Sequence, residues 1–217
     1  MHFVMFVPGL PFNGETIARG LSLGGSESAA YYLARELAGR GHAVTVFGSI
    51  GEQDAGLWDG VRYLPAGHPD SGAPLGRNFE AFLASSPVDV VIGQRVPWLF
   101  NRPGASKVNL WWTHDLALKR HLPLMARQMW NVNAVLCVSE FHRQQVARIY
   151  GLDPERIKVV PNGVDASLFQ PRDAETRLKE SLLVYSSRPE RGLEHLVGLD
   201  GRDEGPSIME LLTRSAP

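Results

Sequence analysis

Short runs of apolar and often β-branched residues alternate along the chain with segments of helical periodicity. Six runs predict strands, at residues 3–7, 44–47, 88–92, 108–112, 135–138 and 157–160. Several of them are apolar at every position, which is typical of strands covered by helices on both faces. Strands that alternate with helices predict a parallel sheet. The pattern therefore indicates an α/β protein with a Rossmann-like parallel sheet and helices on both faces.

Helical periodicity predicts four helices between these strands. They lie at residues 26–38, around residues 79–83, at 116–130 and at 140–150. Pro123 falls inside the third, where we expect a bend or an interruption. The fourth has Ser139 as its N-cap and Gly151 as its stop signal. Residues 8–23, after the first strand, are predicted to form a long loop.

The pattern changes after residue 165, and this change predicts the domain organisation. Residues 1–165 are interpreted as one Rossmann-like domain. Residues 166–180 are polar and contain Pro171, which indicates a linker, and residues 182–185 and 191–197 predict a strand and the helix after it. So few elements cannot enclose a core of their own. We interpret residues 166–217 as a linker, a truncated start of a second domain and a C-terminal tail, which packs on the first domain or belongs to one that is missing.

Composition and charge narrow the function. The 217 residues include 22 Lys and Arg against 23 Asp and Glu, a net charge of −1, which argues against nucleic acid as the main partner. Cys137 is the single cysteine, so no intrachain disulfide forms and a cytoplasmic location fits best. No segment approaches the roughly 20 apolar residues that cross a bilayer, although peripheral contact with a membrane stays open. The seven histidines show no metal-ligand spacing, so no metal is expected.

Two glycines mark the first candidate site. In open parallel sheets, ligands bind outside the carboxyl ends of the strands. After the first strand, Gly24 and Gly25 precede Ser26 at a helix start, where free N–H groups suit a phosphate. Neither G-x-G-x-x-G nor a P-loop lysine is present. The glycines therefore bind phosphate, or they only allow a tight turn and close helix packing.

Polar residues also follow the third and fourth predicted strands. His114 and Asp115 could form an acid/base pair. His114 could equally bind a sugar hydroxyl, or simply cap the next helix. Gln94 and Arg95 occupy the equivalent place one strand earlier, where Arg95 could hold an anion, although a surface arginine is the commoner outcome.

Two cations follow the strand predicted at residues 182–185. Arg188 and Arg191 lie three residues apart and could clamp a diphosphate. The alternative is a solvated, charged loop. From the residues alone, the solvated loop is the better interpretation.

Four segments, taken in this order, resemble the family-4 glycosyltransferases of GT-B fold. The resemblance covers about residues 1–197 and rests on Gly24-Gly25-Ser26-Glu27, Trp112-Thr113-His114-Asp115, Pro161-Asn162-Gly163-Val164-Asp165 and Arg188-Pro189-Glu190-Arg191-Gly192. It implies two Rossmann-like domains that face a cleft, the first mostly holding the acceptor and the second mostly the nucleotide sugar. It also implies sugar transfer with retained anomeric configuration, without metal or cofactor, from a nucleotide diphosphate sugar to a saccharide, lipid or small-molecule acceptor.

The resemblance also implies roles for particular residues. His114 matches the family's active-site histidine, which contacts the transferred sugar, and Asp115 beside it is a candidate substrate-binding residue. Gly24 and Gly25 would approach the donor phosphates or the acceptor. Arg188 and Arg191 would neutralise the departing diphosphate, which is the electrostatic part of such catalysis.

The resemblance ends near residue 197. The acidic E-x7-E motif and the glycine-rich nucleotide segment of the family are not matched there, so we expect an acceptor-side domain with little transferase activity of its own. One alternative is a non-catalytic binding or interaction module that kept the fold, and it could form a homodimer through exposed apolar surface. An unrelated enzyme with a nicotinamide cofactor is a third interpretation, and the missing G-x-G-x-x-G disfavours it.

Overall fold

The chain divides into two compact units, Met1–Val164 and Asp165–Pro217. The computed structural model describes residues 1–21, 23–67, 76–100, 106–163, 166, 185 and 193–197. Most of these residues belong to the first unit, which contains the sheet. The roles that the sequence assigned to residues 1–165 and 166–217 stay predictions.

One mixed sheet of eight strands runs through the described part of the first unit. Its order is β3-β4-β2-β1-β5-β6-β7-β8, and every neighbouring pair is parallel except β3 and β4. The six predicted strands and the Rossmann-like parallel arrangement are confirmed. The strands are β1 (His2–Val7), β2 (Ala43–Gly48), β3 (Gly56–Trp58), β4 (Val61–Pro65), β5 (Val88–Gln94), β6 (Ser106–Thr113), β7 (Ala134–Cys137) and β8 (Ile157–Val159).

The strand order reverses at β1, which lies between β2 and β5. The chain crosses from β1 to β2 on one side and returns from β4 to β5 on the other side of β1, so a crevice opens at the carboxyl ends of β1 and β5. Ligands of open α/β sheets bind at such topological switch points. The fold therefore directs attention to the residues that follow β1, β5 and β6.

The hairpin of β3 and β4 was not predicted from the sequence. Asp59 and Gly60 connect these strands with φ angles of 49° and 77°, the backbone that a two-residue hairpin turn requires. The Asp-Gly pair is a strong hairpin signal and could have revealed both strands. The hairpin places an antiparallel strand at one edge of an otherwise parallel sheet.

The helices largely follow the predicted periodicity. Predictions at 26–38, 79–83 and 140–150 are confirmed, and Ser139 caps the last of these by accepting a hydrogen bond from the His142 N–H at 3.1 Å. Gly151 ends that helix in the left-handed conformation, with φ 65°. The helices are α1 (Gly14–Ala18), α2 (Gly25–Gly39), α3 (Arg77–Ser85), α4 (Leu122–Gln128), α5 (Glu140–Tyr150) and, in the second unit, α6 (Leu193–Val197).

The helix predicted at residues 116–130, with a bend or interruption at Pro123, is present only in part, so its predicted extent is wrong. Only α4 is α-helical there, with 3₁₀ turns at Lys119–His121 and Met129–Asn131 on either side. Pro123 lies in the first turn of α4, where its missing N–H is not needed. Residues 114–118 are irregular instead.

The loop predicted at residues 8–23 contains a short helix. Asn13 caps α1 by accepting from the Glu15 N–H at 3.0 Å, and Thr16 accepts in return from the Asn13 N–H. A capping pair with Thr in the place of the usual Glu was the signal that the sequence analysis overlooked.

Two apolar clusters lie on opposite faces of the sheet. Met5 and Trp112 belong to the cluster beneath α2, whereas Phe6 and Trp111 belong to the cluster that contains residues of α3 and α5. Neighbouring residues of a strand point to opposite faces. The carboxyl end of β6 is therefore anchored on both sides, by one tryptophan in each cluster.

Candidate functional site

The first turn of α2 lies at the carboxyl edge of the sheet, and its two glycines differ in what surrounds them. Gly24 is the N-cap and Gly25 the first helical residue. A Cβ on Gly24 would collide with the Glu27 carboxylate, whereas a Cβ on Gly25 would meet open space. Gly24 is thus explained by packing within the chain. Gly25 faces the space that a ligand could use.

Glu27 is a buried carboxylate that the sequence analysis did not single out. Its side chain accepts from the Leu10 N–H at 3.2 Å and from the Ser26 hydroxyl at 3.0 Å, and the residue is only 4% exposed. A carboxylate in the first turn of a helix is stabilised by the helix dipole. Glu27 therefore holds the loop after β1 against the start of α2. The position of Glu27 in the first turn of α2 was the sequence feature that could have drawn attention to it.

Gln94 connects β5 to the same turn. Its Nε2 donates to the Ser26 carbonyl at 2.8 Å, and the residue is 1% exposed. Its Oε1 has no hydrogen-bond partner among the residues that the structure describes. Gln94 is aligned with Trp112 on β6, so the glycine turn and the end of β6 lie against one another through this pair.

Arg95 binds a carboxylate of the chain itself. Its Nε and Nη2 donate to the two Asp115 carboxylate oxygens at 2.7 and 3.1 Å, and its backbone has a φ of 62°. No hydrogen bond joins the His114 ring to Asp115 within the described residues, and the Asp115 carboxylate bonds Arg95 instead. Asp115 raises the pKa of Arg95, so the guanidinium stays charged in this pair.

His114 lies at the end of β6 with its ring against Trp112, at 4.7 Å between ring centroids. Both ring nitrogens are buried, and neither has a hydrogen bond of good geometry in the described ranges. Burial lowers the pKa of His114, and the nearby Asn162 side chain and the Asp115 carboxylate oppose that effect. Burial therefore favours the neutral form of the imidazole.

A small pocket lies further along the same edge, between the loops that follow β1 and β2. Its volume is about 170 Å³. Phe12 and Ile50 are buried beneath it, while Glu15, Arg19 and Asp54 give it a rim of both charges. The pocket thus combines a small apolar floor with groups that bind hydroxyls.

The remaining expectations from the sequence concern two arginines, a metal site and a membrane-spanning helix. Arg188 and Arg191 lie outside the described residues. Within the described ranges, no three His, Cys, Asp or Glu side chains are grouped as metal ligands would be. The helices described in the structure also include none with the length and apolar character needed to cross a bilayer.

Comparison with known proteins identifies relatives of this arrangement. The profile of Glycosyltransferase Family 4 matches residues 23–168. A mannosyltransferase of Mycolicibacterium hassiacum, "MMP alpha-(1->4)-mannosyltransferase", is 28% identical over 111 residues, which are 49% of this chain and 27% of that protein.

Solved structures show the same fold. Anabaena HepE (Alr3699), crystallised with UDP-glucose, matches 80% of this chain with a TM-score of 0.51 and 16% identity. A glycosyltransferase from Rickettsia africae matches 94% of the chain, also with a TM-score of 0.51 and 16% identity. At this identity the likeness shows a shared fold. The chain spans about half the length of these two proteins, 47% and 51% respectively.

Proposed function

Because this chain belongs to glycosyltransferase family 4, we propose that it takes part in moving a sugar from a nucleotide diphosphate sugar to a saccharide, lipid or small-molecule acceptor, with retained configuration and without metal or cofactor. The observation that carries the proposal is that the glycine turn and His114 lie at one edge of the sheet and are linked by Gln94, which donates to the Ser26 carbonyl and pairs with Trp112, the ring that contacts His114. The mannosyltransferase relative and the UDP-glucose bound by HepE support this donor class.

The neutral form of the His114 ring suits contact with a sugar. A neutral imidazole offers one donor and one acceptor, and a hydroxyl can pair with either. Its ring nitrogens are covered in the absence of ligand, so a hydroxyl would reach them after the Asn162 side chain moves aside. Gly25 would allow close approach to the start of α2. Arg188 and Arg191 would neutralise the departing diphosphate, and Asp115 would contact substrate from its place beside Arg95.

The 170 Å³ pocket is the proposed binding site for the acceptor. It is smaller than the roughly 300–1,000 Å³ of pockets for drug-sized ligands, so it suits one sugar ring or a small head group. The carboxylates of Glu15 and Asp54 can accept hydrogen bonds from hydroxyls, and Arg19 can donate to them.

We further propose that residues 116–130 contact an anionic membrane surface. Five large apolar side chains are exposed there, of which Leu116 (58%), Leu124 (45%) and Trp130 (60%) are the most exposed. Lys119, Arg120 and Arg127 accompany them, without any acidic residue in the stretch. Apolar and aromatic side chains with interspersed cations are typical of interfacial segments.

Loss of one cation from this stretch is expected to weaken membrane binding. Each basic residue near an anionic surface contributes about 1 kcal/mol, so Arg127→Gln should lower the vesicle partition coefficient roughly fivefold. The control is Arg40→Gln at the far end of α2. Co-sedimentation with phosphatidylcholine vesicles that contain phosphatidylglycerol measures the effect. Equal binding of both variants, or equal binding to vesicles without phosphatidylglycerol, would contradict this surface.

A titration with separate donor and acceptor arms tests the transferase proposal. The 217-residue chain is titrated with UDP-, GDP- and dTDP-sugars and with free saccharides, while ¹⁵N NMR follows the Gly25 and Thr16 amides. A nucleotide sugar is expected to shift Gly25, and an acceptor to shift Thr16 in the pocket. If neither amide responds to any ligand of the panel, or if NAD⁺ shifts Gly25 instead, the proposal fails.

Mass spectrometry of the same samples tests turnover. We propose that the chain alone transfers sugar slowly, because it lacks a match to the E-x7-E motif. Fast turnover would contradict the proposed low activity of the chain alone, and it would support sugar transfer as the reaction. The single cysteine, buried and free, supports the proposed cytoplasmic location.

A further inference from the structure

The backbone that follows His114 is held by side chains rather than by regular structure. Residues 114–118 belong to no helix or strand. Leu116 and Leu118 are 58% and 38% exposed, so burial of these apolar side chains contributes little to fixing the segment. Backbone polar groups that find no partner in a helix or sheet must find one elsewhere.

Three side chains of α5 supply these partners. The His142 Nε2 bonds the Asp115 carbonyl at 2.9 Å, and the Gln145 Oε1 accepts from the Ala117 N–H at 3.0 Å. The Tyr150 hydroxyl accepts from the Leu118 N–H at 3.1 Å. Side chains of one helix thus pair three backbone groups of this short segment.

The helix that carries these side chains is itself well fixed. Ser139 caps its start, Gly151 ends it, and Val146 is fully buried between the bonding residues. The Tyr150 ring lies 6.2 Å from the Trp111 ring, so its hydroxyl is held by packing as well. Because α5 is fixed at both ends and along its buried face, its side chains hold residues 115–118 in a defined place.

We propose that Gln145 and Tyr150 are positioning residues for His114, which fix residues 115–118 so that the imidazole stays against Trp112. This inference rests on the proposed function only in treating His114 as the reacting histidine. The two residues touch neither ring nitrogen, and they act through the backbone. A misplacement of about 1 Å in a catalytic group can cost roughly 100-fold in rate, which is why such supports matter.

The charged and titratable groups around the His114 ring determine how its pKa would respond if residues 115–118 were no longer held in place. Asp115, Arg95 from the end of β5 and His142 from α5 act on His114 electrostatically, and Asn162 lies beside it. Burial has the largest effect and lowers the pKa of His114. A ring released from its place would meet more water, so its pKa would rise toward the ordinary value.

The test uses the 217-residue chain and needs no substrate. Gln145→Leu and Tyr150→Phe remove one acceptor each, and Tyr150→Phe keeps the ring beside Trp111. The matched control is Gln144→Leu, since Gln144 is exposed and its amide donates to Glu140 at 3.3 Å. The His114 Cε1–H signal, assigned with His114→Asn, is titrated by NMR, and thermal unfolding is recorded for each variant.

In Gln145→Leu and Tyr150→Phe the His114 signal is expected to move and its titration midpoint to rise, while Gln144→Leu matches the wild type. A midpoint that stays unchanged in both folded variants overturns the inference, even where sugar transfer is found. A raised midpoint supports it, even where the nucleotide-sugar titration fails. If Gln145→Leu does not fold, Tyr150→Phe alone decides in the same way.

Discussion

Replacing His114 by alanine is expected to lower the rate of sugar transfer by about 10²- to 10³-fold, the usual cost of removing one preorganised hydrogen-bonding group from a reaction site. Burial favours the neutral form of the ring, which lies against Trp112 and has two nitrogens free of good hydrogen bonds within the described ranges. A hydroxyl can therefore bond the ring once the Asn162 side chain has moved aside, without displacing a hydrogen bond of good geometry.

The rate is measured as consumption of the nucleotide sugar. It requires a form of the protein that contains residues 1–217 and has measurable transferase activity. For residues 1–217 alone, the parallel measurement is the dissociation constant of the best ligand of the panel. His121→Ala is the control, because the His121 ring contacts the neighbouring Arg120 and should leave both quantities unchanged. Equal losses in the two variants would remove His114 from the site.

Gly24→Ala is expected to lower the free energy of unfolding by about 1–3 kcal/mol, the cost of leaving a buried polar group unsatisfied. The new Cβ would push the Glu27 carboxylate away from the Leu10 N–H and the Ser26 hydroxyl. Gly25→Ala should change stability by no more than about 0.5 kcal/mol, since its Cβ meets open space. Urea unfolding of both variants measures the difference.

A double-mutant cycle identifies Glu27 as the cause. In a Glu27→Ala background the carboxylate is gone, so Gly24→Ala should cost little further stability. We expect a coupling of about 1 kcal/mol or more between the two positions. Simple additivity of the two losses would show that Gly24 is required for another reason. Gly25→Ala, by contrast, should weaken ligand binding while stability is kept.

Sequence reasoning predicted the sheet well because its central strands are apolar at nearly every position, and such runs require cover on both faces. It failed where local chemistry decides the structure. The hairpin of β3 and β4 depends on one Asp-Gly turn, and α1 on the cap at Asn13. The apolar residues at 116–130 suggested one long helix, but much of that segment is exposed or bonded to α5 instead.

The residues of the candidate site could be proposed from the sequence, whereas the contacts between them could not. Reading the residues after each strand selected Gly25 and His114, because strand ends of a parallel sheet meet at one edge. The pairing of Arg95 with Asp115 could not be inferred, since it joins residues 20 positions apart that follow different strands. Gln145 lies 28 positions from its backbone partner, a distance along the chain over which no local pattern extends.

The two consecutive tryptophans of β6 have a mechanical consequence. The Trp111 ring lies tilted beside Tyr150 on one face of the sheet, and the Trp112 ring lies tilted beside His114 on the other. One peptide unit therefore connects two aromatic contacts that the sheet otherwise keeps apart. A rearrangement on the α5 side can be transmitted to the imidazole through the strand itself, so substitutions on the remote face should be counted among those able to disturb the histidine.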